Sequence, residues 1–417
     1  MRVAITGLGC VTPIGNAVAD FRESLYSGRT GIAPIDFDFP GMVPNEPGIR
    51  FRTTAKVKGF DAAQYLSSGV IISTDAGGQF GIVAARQAVA ESDLLQHYDP
   101  ATIAIVTGCA CGGRSADEEA NRNLYTRNAR VPPTTILRTM ASSGTSNIAI
   151  ECGITGPVLN LGTACASATH AIGLAFQMVR SGMASAAIAG GYEAPLTFGF
   201  LRAWESMRVV SPTSCRPFST DRDGMTLGEG AAMMALEPLE SALARGAHIY
   251  AEIVGFGMSA DAHHVTQPRA EGAALAMRRA LEDCAQAGID QPAQRVGYIN
   301  AHGTGTQTND AVEAAAIHLA LGELAPTVPV SSTKSLHGHS IGAVGAIEAL
   351  VTVLALEEGR APHTEGVQAV DPALNLDVIT GQARALDPDR DLALSNSLAF
   401  GGLNGVLVLR RFDTIAQ

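Results

Sequence analysis

Pro157-Val-Leu-Asn-Leu-Gly-Thr-Ala-Cys165-Ala-Ser-Ala-Thr-His170 is the stretch whose pattern settles the architecture of this chain. Pro157 to Leu161 is short, apolar and bounded by Gly156 and Gly162, as expected of a buried strand. Beyond it, Ala168, Ala171, Ile172, Leu174, Ala175, Met178 and Val179 make a helix apolar nearly all round, which places it in the interior. A strand followed at once by a buried helix belongs to layered α/β architecture. Cys165 stands at the junction, facing the unpaired N–H groups and positive dipole end of the helix, which favour thiolate over thiol. Two readings of that sulfur stand on these residues alone: an activated nucleophile, and a small buried hydrophobe.

The 417 residues have room for one large fold with two halves or for several ordinary domains. Hydrophobic residues make up 46% and charged residues only 17%, which suits closely packed buried helices and excludes a disordered chain. The formal net charge of −11 leaves no basic footprint for nucleic acid or an anionic membrane. Lysine occurs only at Lys56, Lys58 and Lys334, so a lysine inside a polar motif draws notice. The seven cysteines are scattered, with no CxxC pair and no zinc spacing, which reads as a reduced cytoplasmic protein. Val3-Ala4-Ile5 begins a strand without a preceding signal-peptide pattern, and Glu348 interrupts the apolar run Ile341–Leu356, which reads as a buried helix rather than a membrane span.

Along the chain, Met1–Thr12 reads as a strand with a glycine turn at Gly7 and Gly9. The dinucleotide fingerprint fails there, because Thr12 occupies the place of its third glycine. A helix over Val18–Tyr26 precedes a surface loop through Pro34, Pro40, Pro44 and Pro47. The strand Ile103–Thr107 ends in the corner Gly108-Cys-Ala-Cys111-Gly-Gly113, and Ser115–Arg130 reads as an exposed helix or a loop reaching toward a partner. From Ile249 the order of elements begins again. Ile253-Val-Gly-Phe-Gly257 echoes Ile5-Thr-Gly-Leu-Gly9, and the helix Ile341–Leu356 echoes the cysteine helix. The pattern argues for an α/β protein of two related halves, 1–250 and 251–417.

Three stretches in the second half are too polar for their apolar surroundings: Asn300-Ala-His302-Gly-Thr304-Gly-Thr306, Lys334-Ser-Leu-His337-Gly-His339, and Asn396-Ser-Leu-Ala-Phe400-Gly-Gly-Leu403-Asn404. Each lies at a strand end or a helix start, where sites collect in α/β folds. Singly, His302 reads first as a hydrogen-bonded structural histidine, and Lys334 equally as a solvated charge. Together with Cys165 they form a set in which two imidazoles stabilise developing negative charge beside a buried ammonium.

In these motifs, taken in order and over nearly its whole length, the chain resembles the β-ketoacyl-ACP synthases of the thiolase superfamily, of the elongating Cys-His-His type. The resemblance implies a thiolase-like αβαβα fold and decarboxylative Claisen condensation in fatty acid or type II polyketide or polyene elongation. It assigns Cys165 as acyl acceptor, His302 and His339 as the pair acting on malonyl-ACP, and Lys334 as their support, paired with Glu348. The backbone N–H groups of Cys165 and Phe400 would form the oxyanion hole, and Phe400 would gate the acyl pocket. Thr304, Thr306 and Thr266 would bind the phosphopantetheine arm; Cys111 and Phe198 would line the acyl pocket. Asp310 and Glu313 would support the first histidine, and His337 stands in a variable place of its motif. No metal or redox cofactor is implied. The partners implied are acyl carrier protein and a second ketosynthase-like subunit, identical or a chain-length homologue. A non-enzymatic chain-length or scaffolding subunit is the alternative, disfavoured by retention of all three site residues; a thiolase would lack the Lys334 motif and the His302-to-Thr306 run.

Three departures stand out. Cys111 replaces a bulky aliphatic common in the family, which implies room for longer, stiffer or unsaturated chains. Tyr65–Thr74 lacks the usual basic docking cluster, leaving Arg127, Arg130, Arg202 and Arg269 as candidate contacts. Leu403 stands where a threonine is common.

Overall fold

The computed structural model describes residues 1–35 and 49–412; Pro40, Pro44 and Pro47 of the expected loop lie outside them. Ten strands carry the architecture: β1 (Val3–Val11), β2 (Ile103–Gly108), β3 (Val158–Leu161), β4 (Ala186–Glu193), β5 (Gly230–Pro238), β6 (Ala251–Ala260), β7 (Val296–Asn300), β8 (Pro329–Ser331), β9 (Leu392–Ala399) and β10 (Leu403–Arg411). The order across the first half is β3-β2-β4-β5-β1, and across the second β8-β7-β9-β10-β6. Each half therefore has its third, second, fourth, fifth and first strands side by side. The senses match too: in each half the first, fifth and fourth strands run antiparallel and the fourth, second and third parallel. The halves join where Val3, Ala4 and Ile5 pair with Ile253, Glu252 and Ala251.

Helices fill both sides of this sheet. On the outer faces lie α1 (Ala76–Ser92) against the first half and α5 (Ala270–Gln286) against the second; between the halves lie α3 (Ser167–Arg180) and α7 (Val344–Glu358). Alternate strand residues serve the two cores: Ala104 and Val106 of β2 face the central helices, whereas Ile103 and Ile105 pack with Phe80, Ile82 and Val83 on the outer side. Burial on both faces explains why these strands read as continuous apolar runs. The result is the thiolase-like layered fold, helix, sheet, helix, sheet, helix.

The structure changes two local expectations. Gly7 and Gly9 make no turn; β1 continues through them, with a shift of register between Ile5 and Gly7. A Cβ there would stand 2.3 Å from the Ala88 carbonyl oxygen and 2.0 Å from that of Ala84, so glycine is what lets α1 lie on the strand. Gly255 and Gly257 repeat the device, with Ala280 and Ala276 of α5 at 2.3 and 2.1 Å. The second change concerns β3. It is an edge strand, paired on one side only with β2, and its Val158 and Leu159 are exposed.

Elsewhere, Ser115–Arg130 is chiefly a helix, α2 (Arg114–Arg127), and Pro34 sits in a two-residue strand paired with Thr53–Thr54. Among the described residues no helix is long and apolar enough to cross a membrane.

Candidate active site

Cys165 occupies the middle of a single 3₁₀ turn, Ala164–Ala166, between β3 and α3. Ala164 has φ of +49°, a left-handed conformation that costs a non-glycine residue about 1–2 kcal/mol. Ser167 holds the bend: its Oγ accepts from the Thr163 N–H at 2.8 Å and donates to the Ala164 carbonyl at 2.7 Å. The sulfur is buried against Ala166, Ala399 and Leu403. Burial opposes the expected thiolate. Burial pushes the Cys165 thiol up to about 11, outweighing the Lys334 charge, the Phe400 N–H aimed at the sulfur and the residue's own backbone N–H.

His339 Nε2 lies 3.2 Å from the Cys165 sulfur, and the Ile341 N–H donates to His339 Nδ1 at 3.2 Å. An accepting Nδ1 places the ring proton on Nε2. His302 follows the same logic through another partner: its Nδ1 receives the Lys334 ammonium at 3.2 Å, so its proton also sits on Nε2. The rings lie 5.5 Å apart, edge to face. Burial and the Lys334 charge depress both imidazoles well below their ordinary range, so both are neutral at pH 7. The pair thus offers two N–H donors beside one sulfur.

Lys334 is fully buried, and its ammonium also donates to Glu348 of α7 and to the His302 carbonyl. This is the pair expected from sequence. Burial pushes the Glu348 carboxyl up, while the Lys334 ammonium pulls it down. Glu313 and Asp310, on α6 (Gln307–Leu321), hold the loop after β7. Glu313 accepts from the His302 and Gly303 N–H groups at 2.8 and 2.7 Å, and Asp310 from those of Phe218 and Gly305 at 2.8 and 3.2 Å. His337 points away, bonding Thr333 at 3.0 Å and the Gly338 carbonyl at 2.9 Å.

A cavity of about 400 Å³ joins Cys165, His302, His339 and Phe400 with Thr304, Thr306 and Thr266. Thr304 and Thr306 share a hydrogen bond of 2.9 Å, whereas Thr266 stands exposed at the mouth. The Phe400 ring stacks on Trp204 of α4 (Phe198–Ser206), centroids 5.7 Å apart. Cys111 is half-buried in an apolar cluster with Phe200, Leu201, Ile341 and Trp204. Phe198 is half-buried at the start of α4, and Phe200, two residues on, is buried in that cluster.

Of the candidate arginines, Arg202 lines a groove with Arg50, Phe51, Glu205 and Arg208, and Arg208 also lines the cavity. Arg127 and Arg130 are exposed around the end of α2, and Arg269 beside Pro268 at the cavity. Trp204, Arg208 and Glu193 were not anticipated from the sequence. Glu193 alone left a signal, as the single charge in the apolar strand β4. The donor atoms of Cys165, His302 and His339 lie within 4.8 Å of one another, a set that suits a soft metal, but the adjacent Lys334 ammonium opposes a dication.

Duplicated halves in five layers, with a cysteine from one and two histidines from the other meeting between them, define a thiolase-like condensing enzyme. Its family follows from comparison: the models of the β-ketoacyl synthase N-terminal and C-terminal domains match residues 1–242 and 250–368, and the chain belongs to that family. It is 40% identical to 3-oxoacyl-[acyl-carrier-protein] synthase 2 of Synechocystis sp., over 99% of this chain and 98% of that protein. The Staphylococcus aureus (strain MRSA252) synthase 2 is 38% identical over 99% of both chains. Among solved structures, the ishigamide ketosynthase/chain length factor superposes with a TM-score of 0.91 at 33% identity, covering 99% of both chains. A type II PKS ketosynthase in complex with its acyl-carrier protein, AntDE:AntF, gives 0.86 at 29%, again over 99% of each. The chain is accordingly an enzyme, an acyltransferase that lengthens acyl chains by decarboxylative Claisen condensation.

Proposed function

We propose that Cys165 receives the growing chain and that His302 and His339 generate the carbon nucleophile. In the first half-reaction the sulfur attacks an acyl thioester carried on the phosphopantetheine of an acyl carrier protein. The Cys165 S–H proton passes to the departing carrier sulfur, the carrier thiol leaves, and Cys165 becomes the acyl thioester. The Phe400 N–H, already directed at the sulfur, and the Cys165 N–H stabilise the tetrahedral oxyanion.

In the second half-reaction the thioester oxygen of malonyl carrier protein accepts from both Nε2–H groups. The bond to the carboxylate breaks, CO2 departs, and its electron pair forms an enolate that attacks the acyl carbon. Cys165 leaves as thiolate and takes up a proton, and the β-ketoacyl carrier is released. Lys334 fixes the His302 tautomer, and Thr304, Thr306 and Thr266 hold the pantetheine arm along the cavity. No metal or redox group enters, because the departing carboxylate supplies the electrons. One observation carries this reading: each imidazole has its Nδ1 engaged as an acceptor, leaving Nε2–H for the condensation. Mass spectrometry after incubation with acyl carrier proteins tests it. An acyl adduct on Cys165 is expected; its absence with every donor would sink the proposal.

The groove beside the mouth suits an acidic carrier, since Arg50, Arg202 and Arg208 face a single carboxylate, Glu205. Arg208→Glu is expected to raise KM for the carrier while leaving the fold unchanged. The β3 edge suits a second ketosynthase-like chain, identical or a chain-length homologue. Val158, Leu159 and Ile150 stand exposed there, followed by Ile136, Leu137 and Tyr125 on the neighbouring helices. Light scattering alone and with a candidate partner separates the homodimer from the heterodimer. We assign the two functional units to residues 1–250 and 251–417, and the protein to the cytoplasm, since all seven cysteines are free. Cys111 at the pocket wall favours long or unsaturated chains of a polyketide or polyene pathway; Cys111→Ile is expected to shift preference toward shorter chains.

A further inference from the structure

The corner that carries Cys111 hangs from two buried carboxylates. Glu193, at the end of β4 and 1% exposed, accepts from the Ala110 N–H at 2.8 Å and from the Cys111 N–H at 3.1 Å to each oxygen. The Cys109 thiol donates to it at 3.3 Å, and so does the Gly342 N–H. At the far end of the corner, Asp75 accepts from the Gly113 N–H at 3.0 Å while capping α1 through the Gly78 N–H at 3.0 Å. Of the two, Glu193 is the one that reaches across to Gly342, three residues after His339. A Cβ at Gly342 would lie 2.7 Å from Glu193 Oε2 and 2.6 Å from the Ala110 nitrogen, so the approach requires glycine.

We propose that Glu193 is a positioning residue that fixes the Cys111 corner, which packs with Trp204 and Met225 of the cavity lining, against the His339–Gly342 turn and thereby sets which acyl chains the enzyme accepts. The inference rests on Cys165 carrying an acyl chain past that corner. Among the described residues no cation bonds to Glu193; N–H and S–H dipoles satisfy it. A glutamine of the same shape would turn an NH2 group toward backbone donors, and the corner would have to move.

The titratable groups facing Glu193 are Cys109, Cys111 and Asp75. Burial keeps both thiols protonated across neutral pH. Burial also pushes Glu193 up to about 7, with the Ala110 and Cys111 N–H groups opposing and Asp75 adding. As pH falls through that value the carboxylate gains a proton and loses acceptor capacity, so acidification acts in the direction of Glu193→Gln.

The test measures kcat/KM for short, long and unsaturated acyl carriers, together with the Cys165 adduct by mass spectrometry. Glu193→Gln is expected to change the long-to-short ratio by about tenfold while Cys165 is still acylated. An acylated variant with the wild-type ratio overturns the inference alone; absence of any adduct in the wild type removes the synthase reading and this inference with it. If Glu193→Gln does not fold, the wild-type ratio is measured at about pH 6 and about pH 8, on either side of the carboxyl's transition. A shift that persists in Asp75→Asn supports Glu193. A pH-independent ratio, or a shift that vanishes in Asp75→Asn, overturns it.

Discussion

Ala164, with φ of +49°, opens a 3₁₀ turn that leads into the buried helix α3; Ile341, with φ of +47°, opens a 3₁₀ turn that leads into its counterpart α7. The next residue is Cys165 in one half and Gly342 in the other. The sulfur of the first faces a cavity, whereas the second accommodates no Cβ because Glu193 and Ala110 press on it. The preceding loops differ in the opposite sense. In the second half the approach to the turn brings Lys334 and His339; in the first it brings Asn160, Gly162 and Thr163. On the proposed mechanism, one scaffold used twice has divided its labour, with nucleophile and acyl-chain corner on one side and proton donors and buried charge on the other.

The largest effect expected from breaking this division is at the buried pair. Lys334→Met leaves Glu348 buried without its cation and is expected to cost about 3–5 kcal/mol in denaturant unfolding. Adding Glu348→Leu should restore most of that stability but not the activity, because His302 Nδ1 remains without its donor. The turn around Cys165 holds no such ion pair among the described residues, so equal losses from polar-to-apolar changes there would argue against the division.

Where the halves are alike, substitutions should behave alike. Gly7→Ala on β1 and Gly255→Ala on β6 each drive a methyl into a helix carbonyl, and each is expected to destabilise by about 1–3 kcal/mol. Losses differing by more than that range between the two would show that the repeated glycines do different work. The smallest effect lies at the sulfur itself. Alkylation of Cys165 should quicken about tenfold per pH unit through pH 7 to 9, since the thiol is held at about 11. Levelling below pH 8 would mean that the helix terminus outweighs burial.

Much of this was legible from the residues. The cysteine helix, the echoing halves and the Lys334–Glu348 pair each left a pattern, because a helix apolar all round must be buried and a lone charge inside one needs a counter-charge. What failed is instructive. Gly7 and Gly9 read as a turn because only packing shows that they admit α1. β3 reads as buried because an edge strand awaiting a partner has the same apolar residues as a central one. The thiolate expectation counted the helix dipole and not the dryness of the site, which depends on Ala399 and Leu403 from the far end of the chain. Glu193 was passed over because its donors are mostly backbone groups, which leave no mark on a sequence.

The division of labour is tested most directly by measuring CO2 release from malonyl carrier protein by two variants side by side. Cys165→Ala should form no condensed product yet still release CO2, because both Nε2–H donors remain; His302→Ala should lose CO2 release by about a hundredfold or more while Cys165 still takes up an acyl group. Loss of CO2 release in Cys165→Ala, or its retention in His302→Ala, would contradict the account.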